Sequence, residues 1–551
     1  MGKRGHRYPQ VEPGAAALVD ATVATAPAAL SVREAQAWTL KARAEGLQLG
    51  DRGVVLRADL VRAAALGLAD LPASAITRPL PTVSTRAPEV TVRRALAAGA
   101  PMVVVRDRRG LVGGVSSTSA LVGAIGLSVG ARLSRTLPAW ASQTLASLGQ
   151  LATAQGMRAF LVGGVVRDIL HASVLARADL DVVVEGDGLA LARALAATLR
   201  VPVLEHGRFL TASIRRPSGE RIDVATARSE RYESPGALPR VLPASILPDL
   251  GRRDFTVNAM AVEIGADMRL LDPHGGRGDL GRRRLRILHP LSFVDDPTRI
   301  FRGARYAARL GLAYDGWTAA CQTFALRLGA YPALSGQRIS AELDRILAEA
   351  RPDQALRRLG SAGVFRLLDP RYRFTRATGE RLAAWPSAWA WSRERGLDVT
   401  RLELALVALL GGQPADVRSA ALRRLGFTGE PLTRTGRALE TSSALVDRLA
   451  ETPAGAERGR LLRALTDLEL ASAWLGGERA ARTAVTWWVD TARRVRPMLG
   501  GEEVVQLGVR RGPAVAEVLD RLRDRRLDGE GGDRDAEIEY VRHWLEARKE
   551  G

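Results

Sequence analysis

The 551-residue sequence contains one cysteine, Cys321, which excludes an internal disulfide and a thiolate zinc cluster. Long apolar runs are also missing. Leu402–Leu410 is among the longest, Glu403 interrupts it, and it falls well short of the ~18 to 20 residues that span a bilayer. The basic N-terminus has no continuous apolar core, because Asp20 and Pro27 cut it, so a cytoplasmic protein without a secretion signal is expected. Lysine is scarce: of 80 basic residues only Lys3, Lys41 and Lys549 are lysine, and the rest are arginine.

What is present is ordinary for a globular chain, with 46% apolar and 25% charged residues. At roughly 100 to 200 residues per domain, the length implies three or four domains. The net charge of +20 favours polyanionic partners, and guanidinium forks suit phosphate oxygens. Arginine enrichment across a whole genome produces the same composition, so charge alone leaves both readings open.

An internal repeat lies near the N-terminus. Ser31 to Leu68 is echoed by Thr91 to Leu127, each reading as a helix, a β-rich run around a Gly turn ("DRGVVL", "DRRGLVGGV") and a second helix. The repeat resembles a tandem pair of CBS domains, expected over residues 18–130. In that family a Thr and an Asp before the last helix hold an adenosine nucleotide. Here the first copy has Asp59 but Leu56 in the Thr position, and "SSTSAL" in the second has no Asp. A structural or RNA-contacting pair is therefore favoured over a nucleotide sensor.

From Leu133 to Gly156 the pattern is helical. Alternation then marks strands at Ala159–Val162, Leu180–Val184, Thr211–Ile214 and Arg221–Val224, with a helix over Leu189–Leu199 between them. This predicts an α+β domain over residues 135–281. Beyond about Arg282 the strand signals stop and an all-α remainder is expected, with Ile339, Leu343, Ile346 and Leu347 on one helix and Pro352 opening the next.

Candidate chemistry concentrates in "FLVGGVVRDIL", where a strand ends in Gly163 and Gly164 and a helix carrying Arg167 begins, an arrangement that can cradle phosphate or simply pack. Asp179 and Asp181 flank Leu180, so the two-residue period of a strand turns both carboxylates to one face at its tip. Two such acids repel and lose hydration, which a divalent cation offsets, unless the strand end is simply solvated. Asp223 occupies a similar strand position, and three convergent carboxylates suit two Mg²⁺ ions about 3.5 to 4 Å apart.

The motifs "LVGGVVRD", "ADLDVVVEG", "IDVATARSERYESPGALP", "RRDFTVNAMA", "LLDPHGGRGDL" and "DDPTRIFRGARYAARLGL" resemble, in that order, the head and neck of class II tRNA nucleotidyltransferases, a family shared with bacterial poly(A) polymerases. The likeness runs from about Thr136 to Pro370. It implies a nucleotidyltransferase head (135–281), a helical neck (282–370) and a helical RNA-binding body and tail (371–551). It further implies that Asp179 and Asp181 bind catalytic Mg²⁺ with Asp223 as a third catalytic carboxylate, and that Gly163, Gly164, Arg167 and Asp168 form the triphosphate-side turn. Arg253 and Asp254 would recognise the ribose 2′-hydroxyl, supported by Arg252 and Asn258.

At about 100° per residue, Arg299, Arg302, Arg305 and Arg309 fall within an arc of roughly 120°, a single basic face beside Asp296. The resemblance implies that Asp296 and Arg299 present hydrogen-bonding edges to the incoming base, a combination suited to C and A. The preceding acid is Asp295, where family members commonly carry the longer Glu.

The expected activity is addition of CCA, CC or A to tRNA 3′ ends from CTP and ATP. The alternatives are poly(A) tailing, and an inactive CBS-containing RNA-binding protein. No His-Asp dipeptide occurs, so the metal phosphohydrolase domain attached to some relatives is not expected. Trp385, Trp389 and Trp391 fit helical core packing better than base stacking. Oligomeric state is not legible.

Overall fold

The computed structural model describes residues 14–116, 127–171, 179–329, 331–440 and 443–548. They form two compact units divided after Leu334, a boundary inside the stretch expected as neck.

The N-terminal repeat is present as two copies of one arrangement. In the first, β1 (Val23–Ala26) runs parallel to β2 (Gly46–Leu49), which turns back into β3 (Val54–Leu56). Helix α1 (Val32–Ala42) lies between β1 and β2 in sequence, and α2 (Arg57–Ala65) follows β3. The second copy repeats this with β4 (Thr82–Ser84), α3 (Glu89–Ala97), β5 (Met102–Asp107) and β6 (Gly110–Ser116). "SSTSAL" falls almost wholly in residues 117–126, outside the described residues. Val23, Val54 and Leu56 of one copy pack with Met102 and Val104 of the other in a shared core, so the two copies form one domain. α1 starts where "SVRE" provides a capping box: Ser31 Oγ accepts from Glu34 N at 3.2 Å, and Glu34 Oε2 accepts from Ser31 N at 2.8 Å.

The expected helix over Leu133–Gly156 is two helices, Gly130–Thr136 and α4 (Ala139–Ala154). Pro138 separates them, because a proline disfavours helical backbone at the residue before it and cannot donate a helix hydrogen bond.

The head is a seven-stranded mixed sheet. Its members are β7 (Arg158–Val162), β8 (Leu180–Glu185), β9 (Val203–His206), β10 (Thr211–Arg215), β11 (Arg221–Thr226), β14 (Ala261–Glu263) and β15 (Leu270–Leu271), in the order β15-β14-β7-β8-β11-β10-β9. A separate hairpin pairs β12 (Arg228–Arg231) with β13 (Arg240–Pro243). β8 is central and buried on both faces: Leu180, Val182 and Val184 point one way, and Val183 packs with Phe160 and Val162 on the other. That burial explains its nearly unbroken apolar run. The helix expected at Leu189–Leu199 is α6 (Gly188–Leu199), capped by Asp187 Oδ1, which accepts from Leu189 N and Ala190 N at 3.0 Å each. The opposite face of the sheet is covered by a short helix, α7 (Ile246–Gly251), through Ile246 and Leu250.

After the head the chain is mainly helical, as expected, except for a two-residue parallel pair, Arg284–Leu285 with Ala313–Tyr314. Ser335–Gly551 contains only helices and turns among the described residues. Ile339, Leu343, Ile346 and Leu347 are the buried stripe of Gly336–Leu347, and Pro352 opens Pro352–Ser361. Trp385 and Trp391 are buried. Trp391 stacks on Trp474 and donates its indole N–H to Thr486, so both belong to the core of this unit. Among the described residues no helix is long and apolar enough to cross a membrane.

Candidate active site

The head gathers its acids where β8 and β11 begin. The two strands run parallel, with Asp181 directly opposite Asp223. Asp179, one residue before β8, is exposed at the same tip, and Asp181 is half-buried. Burial, then the Asp223 charge, push the Asp181 carboxyl up to about 6, although Arg253 and Arg221 pull the other way. Asp223 is differently placed: it accepts from Ser213 Oγ at 2.6 Å and from Arg221 Nε at 2.8 Å.

β7 ends against this tip. Gly163 has φ +74° and ψ −135°, a conformation that essentially requires glycine. A Cβ built there would lie 3.2 Å from Asp181 Oδ2 and 3.5 Å from Arg253 Nη1, so the turn brings the strand-tip acid and this guanidinium together. Gly164 starts helix α5 (Gly164–Leu170), which carries Arg167 and Asp168.

Arg252 and Arg253 are aimed by Asp249, a wholly buried acid of α7. Asp249 Oδ1 accepts from Arg252 Nε at 2.9 Å and Oδ2 from Arg253 Nη2 at 3.0 Å. Burial opposes its charge, but Arg253 and Arg252 outweigh that and hold the carboxyl below its usual range. Arg252 also bonds Glu230 at 2.6 Å. Neither Asp249 nor Glu230 was anticipated from sequence. Asp249 had a readable signal, since it precedes the two arginines by three and four residues at helical ion-pair spacing.

A second network runs from α5 to the helix α9 (Thr298–Leu310), with a short helix α8 (Ser292–Asp295) just before it. Arg167 donates to Asp168 at 2.8 Å and to Asn258 Oδ1 at 2.7 Å. Asn258 donates to Asp254 at 2.9 Å, and Arg302 Nε donates to the other Asp254 oxygen at 2.8 Å. Arg309 pairs with Asp168 at 3.4 Å, and Arg167, Arg302 and Arg305 all lie over the Tyr306 ring. Burial opposes ionisation of Asp254, yet Arg302 and the Asn258 hydrogen bond prevail and hold it down at about 2.

The basic face of α9 is thus turned largely toward the head's acids. Arg299 is only 5% exposed: Nη1 donates to Ser292 Oγ at 2.7 Å, and Nη2 to the Arg252 carbonyl at 2.8 Å. Asp296 Oδ1 accepts from Thr298 N at 2.9 Å and Thr298 Oγ1 at 2.7 Å. α9 can lie this close because Gly303 has no side chain; a Cβ there would sit 1.9 Å from the Tyr314 hydroxyl.

Asp179 and Asp181 fit a divalent cation. They supply hard oxygen donors, and Asp181 is a crowded carboxylate whose ionised form lacks sufficient compensation. Asp223 is already engaged by Arg221 and Ser213. Among the described residues no group of three or more His, Cys, Asp or Glu side chains is gathered for a metal, so substrate oxygens and water would complete the shell.

Residues 159–286 match the family described as the Poly A polymerase head domain. The chain is 32% identical over 418 residues to an A-adding tRNA nucleotidyltransferase of Geobacter sulfurreducens, covering 74% of this chain and 47% of that protein. It is 34% identical over 395 residues to a CC-adding tRNA nucleotidyltransferase of Deinococcus radiodurans, covering 70% of this chain and 89% of that one. A Thermotoga maritima CCA-adding enzyme solved with tRNA superposes with a TM-score of 0.66 at 26% identity, over 76% of this chain and 99% of that one. CCA-adding enzymes solved with ATP and with CTP each superpose at 0.67. The chain spans about half the length of the first A-adding relatives it matches. With its mixed head sheet, twin-acid strand tip and helical C-terminal part, the chain belongs to the tRNA nucleotidyltransferase family.

Proposed function

We propose that the protein is a template-independent RNA nucleotidyltransferase that adds CCA, CC or A to tRNA 3′ ends from CTP and ATP. The observation that carries this reading is the register setting Asp181 opposite Asp223, beside Asp179, Gly163 and Arg253. Asp179 and Asp181 would hold Mg²⁺, which when bound supplies charge neutralisation at the transferring phosphate and acidifies the attacking hydroxyl.

The chain's own groups do the rest. Gly163 and Gly164 leave room for the triphosphate against the backbone. The resemblance gives Arg253 to the ribose 2′-hydroxyl; because its Nη2 is committed to Asp249 and its Nη1 faces the turn, we assign it instead to orienting the triphosphate and stabilising the departing pyrophosphate. The 3′-hydroxyl oxygen forms the bond to the α-phosphorus, the bond to pyrophosphate breaks, and the hydroxyl proton passes to solvent water. Asp254, locked by Asn258 and Arg302, fixes the floor beside the sugar. Asp296 and Arg299 select the base: the acid accepts from an exocyclic amine, and the guanidinium holds the Arg252 backbone as it donates. The helical remainder holds RNA by phosphate contacts and shape.

We further propose that the N-terminal repeat is a tandem CBS pair over residues 18–130, followed by head (135–281), neck (282–370) and body with tail (371–551). The duplicated strand–helix–hairpin topology supports the first assignment.

Purified protein incubated with tRNAs ending in the discriminator base, C or CC, and each labelled nucleotide tests the proposal. One to three additions support it. A long A ladder would instead favour tailing, the second reading suggested by the head-domain match. No incorporation would leave an RNA-binding protein and overturn the proposal.

A further inference from the structure

The N-terminal domain reaches into the segment assigned to base selection. Arg62, in the last turn of α2, places Nη1 2.6 Å from Asp295 Oδ2, across 233 residues of sequence. Asp295 is wholly buried and Arg62 is one third exposed, so the contact joins a domain surface to the interior of another. Asp295 ends α8 and directly precedes Asp296. The same short helix supplies Ser292, whose hydroxyl accepts from Arg299. Arg62, Asp295, Ser292 and Arg299 thus form one linkage, with Asp296 next to its centre.

The grip is applied at two points. Arg78, held bidentate by the buried Asp59 at 2.6 and 2.7 Å, donates Nη1 to the Leu288 carbonyl at 2.8 Å. Residues 288–295 are therefore fastened at both ends by the N-terminal domain. Two further bonds support the seam: Trp317 Nε1 to the Thr77 carbonyl at 3.1 Å, and Arg286 Nη2 to the Ala98 carbonyl at 3.0 Å.

Among the described residues no second arginine or lysine forms an ion pair with Asp295; Asp295 Oδ1 makes no hydrogen bond, and neither His289 nitrogen does, although Nε2 lies 3.5 Å from Asp295. Burial, then the surrounding arginines, keep His289 neutral. Without Arg62 the buried carboxyl keeps no cation at contact distance, and the turn it terminates loses its outer anchor. Asp is one methylene shorter than Glu, and here a guanidinium from another domain meets it.

We propose that Arg62 is a positioning residue for nucleotide choice, through which the N-terminal domain fixes the segment carrying Asp296 and Arg299. This rests on the nucleotidyltransferase reading above. The test compares full-length wild type, Arg62→Ala, Arg62→Lys and Arg33→Ala for kcat and KM with ATP, CTP, GTP and UTP on tRNAs of each 3′ end. Arg33 is a control from the same domain; its ion pair with Asp70 is exposed on both sides.

Arg62→Ala should cut the kcat/KM preference for the accepted over the rejected nucleotides at least tenfold, mainly through KM for the accepted one. Arg62→Lys should restore most of that preference, and Arg33→Ala should leave it unchanged. An Arg62→Ala protein that melts with wild-type cooperativity and keeps the full preference, or slows equally with every nucleotide, overturns the inference. Should Arg62→Ala not fold, Arg62→Gln takes its place, with unchanged preference again overturning it. A wild type that transfers no nucleotide at all sinks the underlying reading and this inference with it.

Discussion

Two acids of the head, the half-buried Asp181 at the strand tip and the buried Asp254 beneath α9, meet opposite electrostatic fates. Both lose hydration. Asp181 faces Asp223 and rises to about 6, whereas Asp254 faces Arg302 and Asn258 and falls to about 2. On the proposed function, the difference separates a site from a scaffold. An acid whose charge the protein leaves unbalanced is ready for an external cation, whereas one already saturated by its neighbours holds the frame around that site.

The largest test of this contrast is Asp181→Asn. Nucleotide transfer should fall on the order of 10³-fold or more, as expected when several kcal/mol of charge stabilisation are lost. Cation-free stability should not fall with it. Because the folded carboxyl titrates near 6 and the unfolded one near 3.8, its ionisation disfavours folding above about pH 6. The variant should therefore be the more stable protein at pH 8, and the gain should shrink as pH drops through 6 toward 3.8. Urea unfolding at several pH values reads this directly.

Asp254→Asn should do the reverse and cost about 2 kcal/mol or more at pH 7. The folded carboxyl titrates near 2 and the unfolded one near 3.8, so its contribution is complete above 3.8 and is lost as pH falls through 2. The gap between wild type and variant should close over that window, and a gap independent of pH would show that charge is not what Asp254 supplies.

A smaller effect sharpens the comparison at its source. Replacing Asp223 by Asn removes the nearest like charge, so the Asp181 titration, followed by carboxyl NMR, should move down from about 6 toward 3.8. The smallest effect belongs to a solvated pair. Arg193→Ala breaks the Arg193–Glu205 bridge at 3.1 Å, and should change stability by no more than ~1 kcal/mol and leave transfer untouched.

The strand tip was readable because its signals are local. Alternating Asp179 and Asp181 before an apolar run states both the strand and the face, and Asp223 repeats the pattern in the partner strand. The N-terminal duplication was readable for the same reason, through its paired Gly turns. Short strands such as β14 and, at the sheet's edge, β15 were not, since two or three residues carry no usable period. Nor was the inward turn of the α9 arginines, which depends on acids brought from α5 and the Asp254 loop. Sequence spacing shows that Arg299, Arg302, Arg305 and Arg309 share a side, but only the fold shows what that side meets. The Arg62–Asp295 pair is the extreme case, with no local trace at either end.

The pairing of Asp181 with Asp223 rests on the phase of two parallel strands rather than on a loop's conformation. A single inserted residue within Arg221–Thr226, upstream of Asp223, would move that acid by one step and swap its side of the sheet. Every acid would still be present, but Asp223 would no longer face Asp181. For a chain of this family, the count of residues between the strand's start and its acid is therefore as informative as the acid itself.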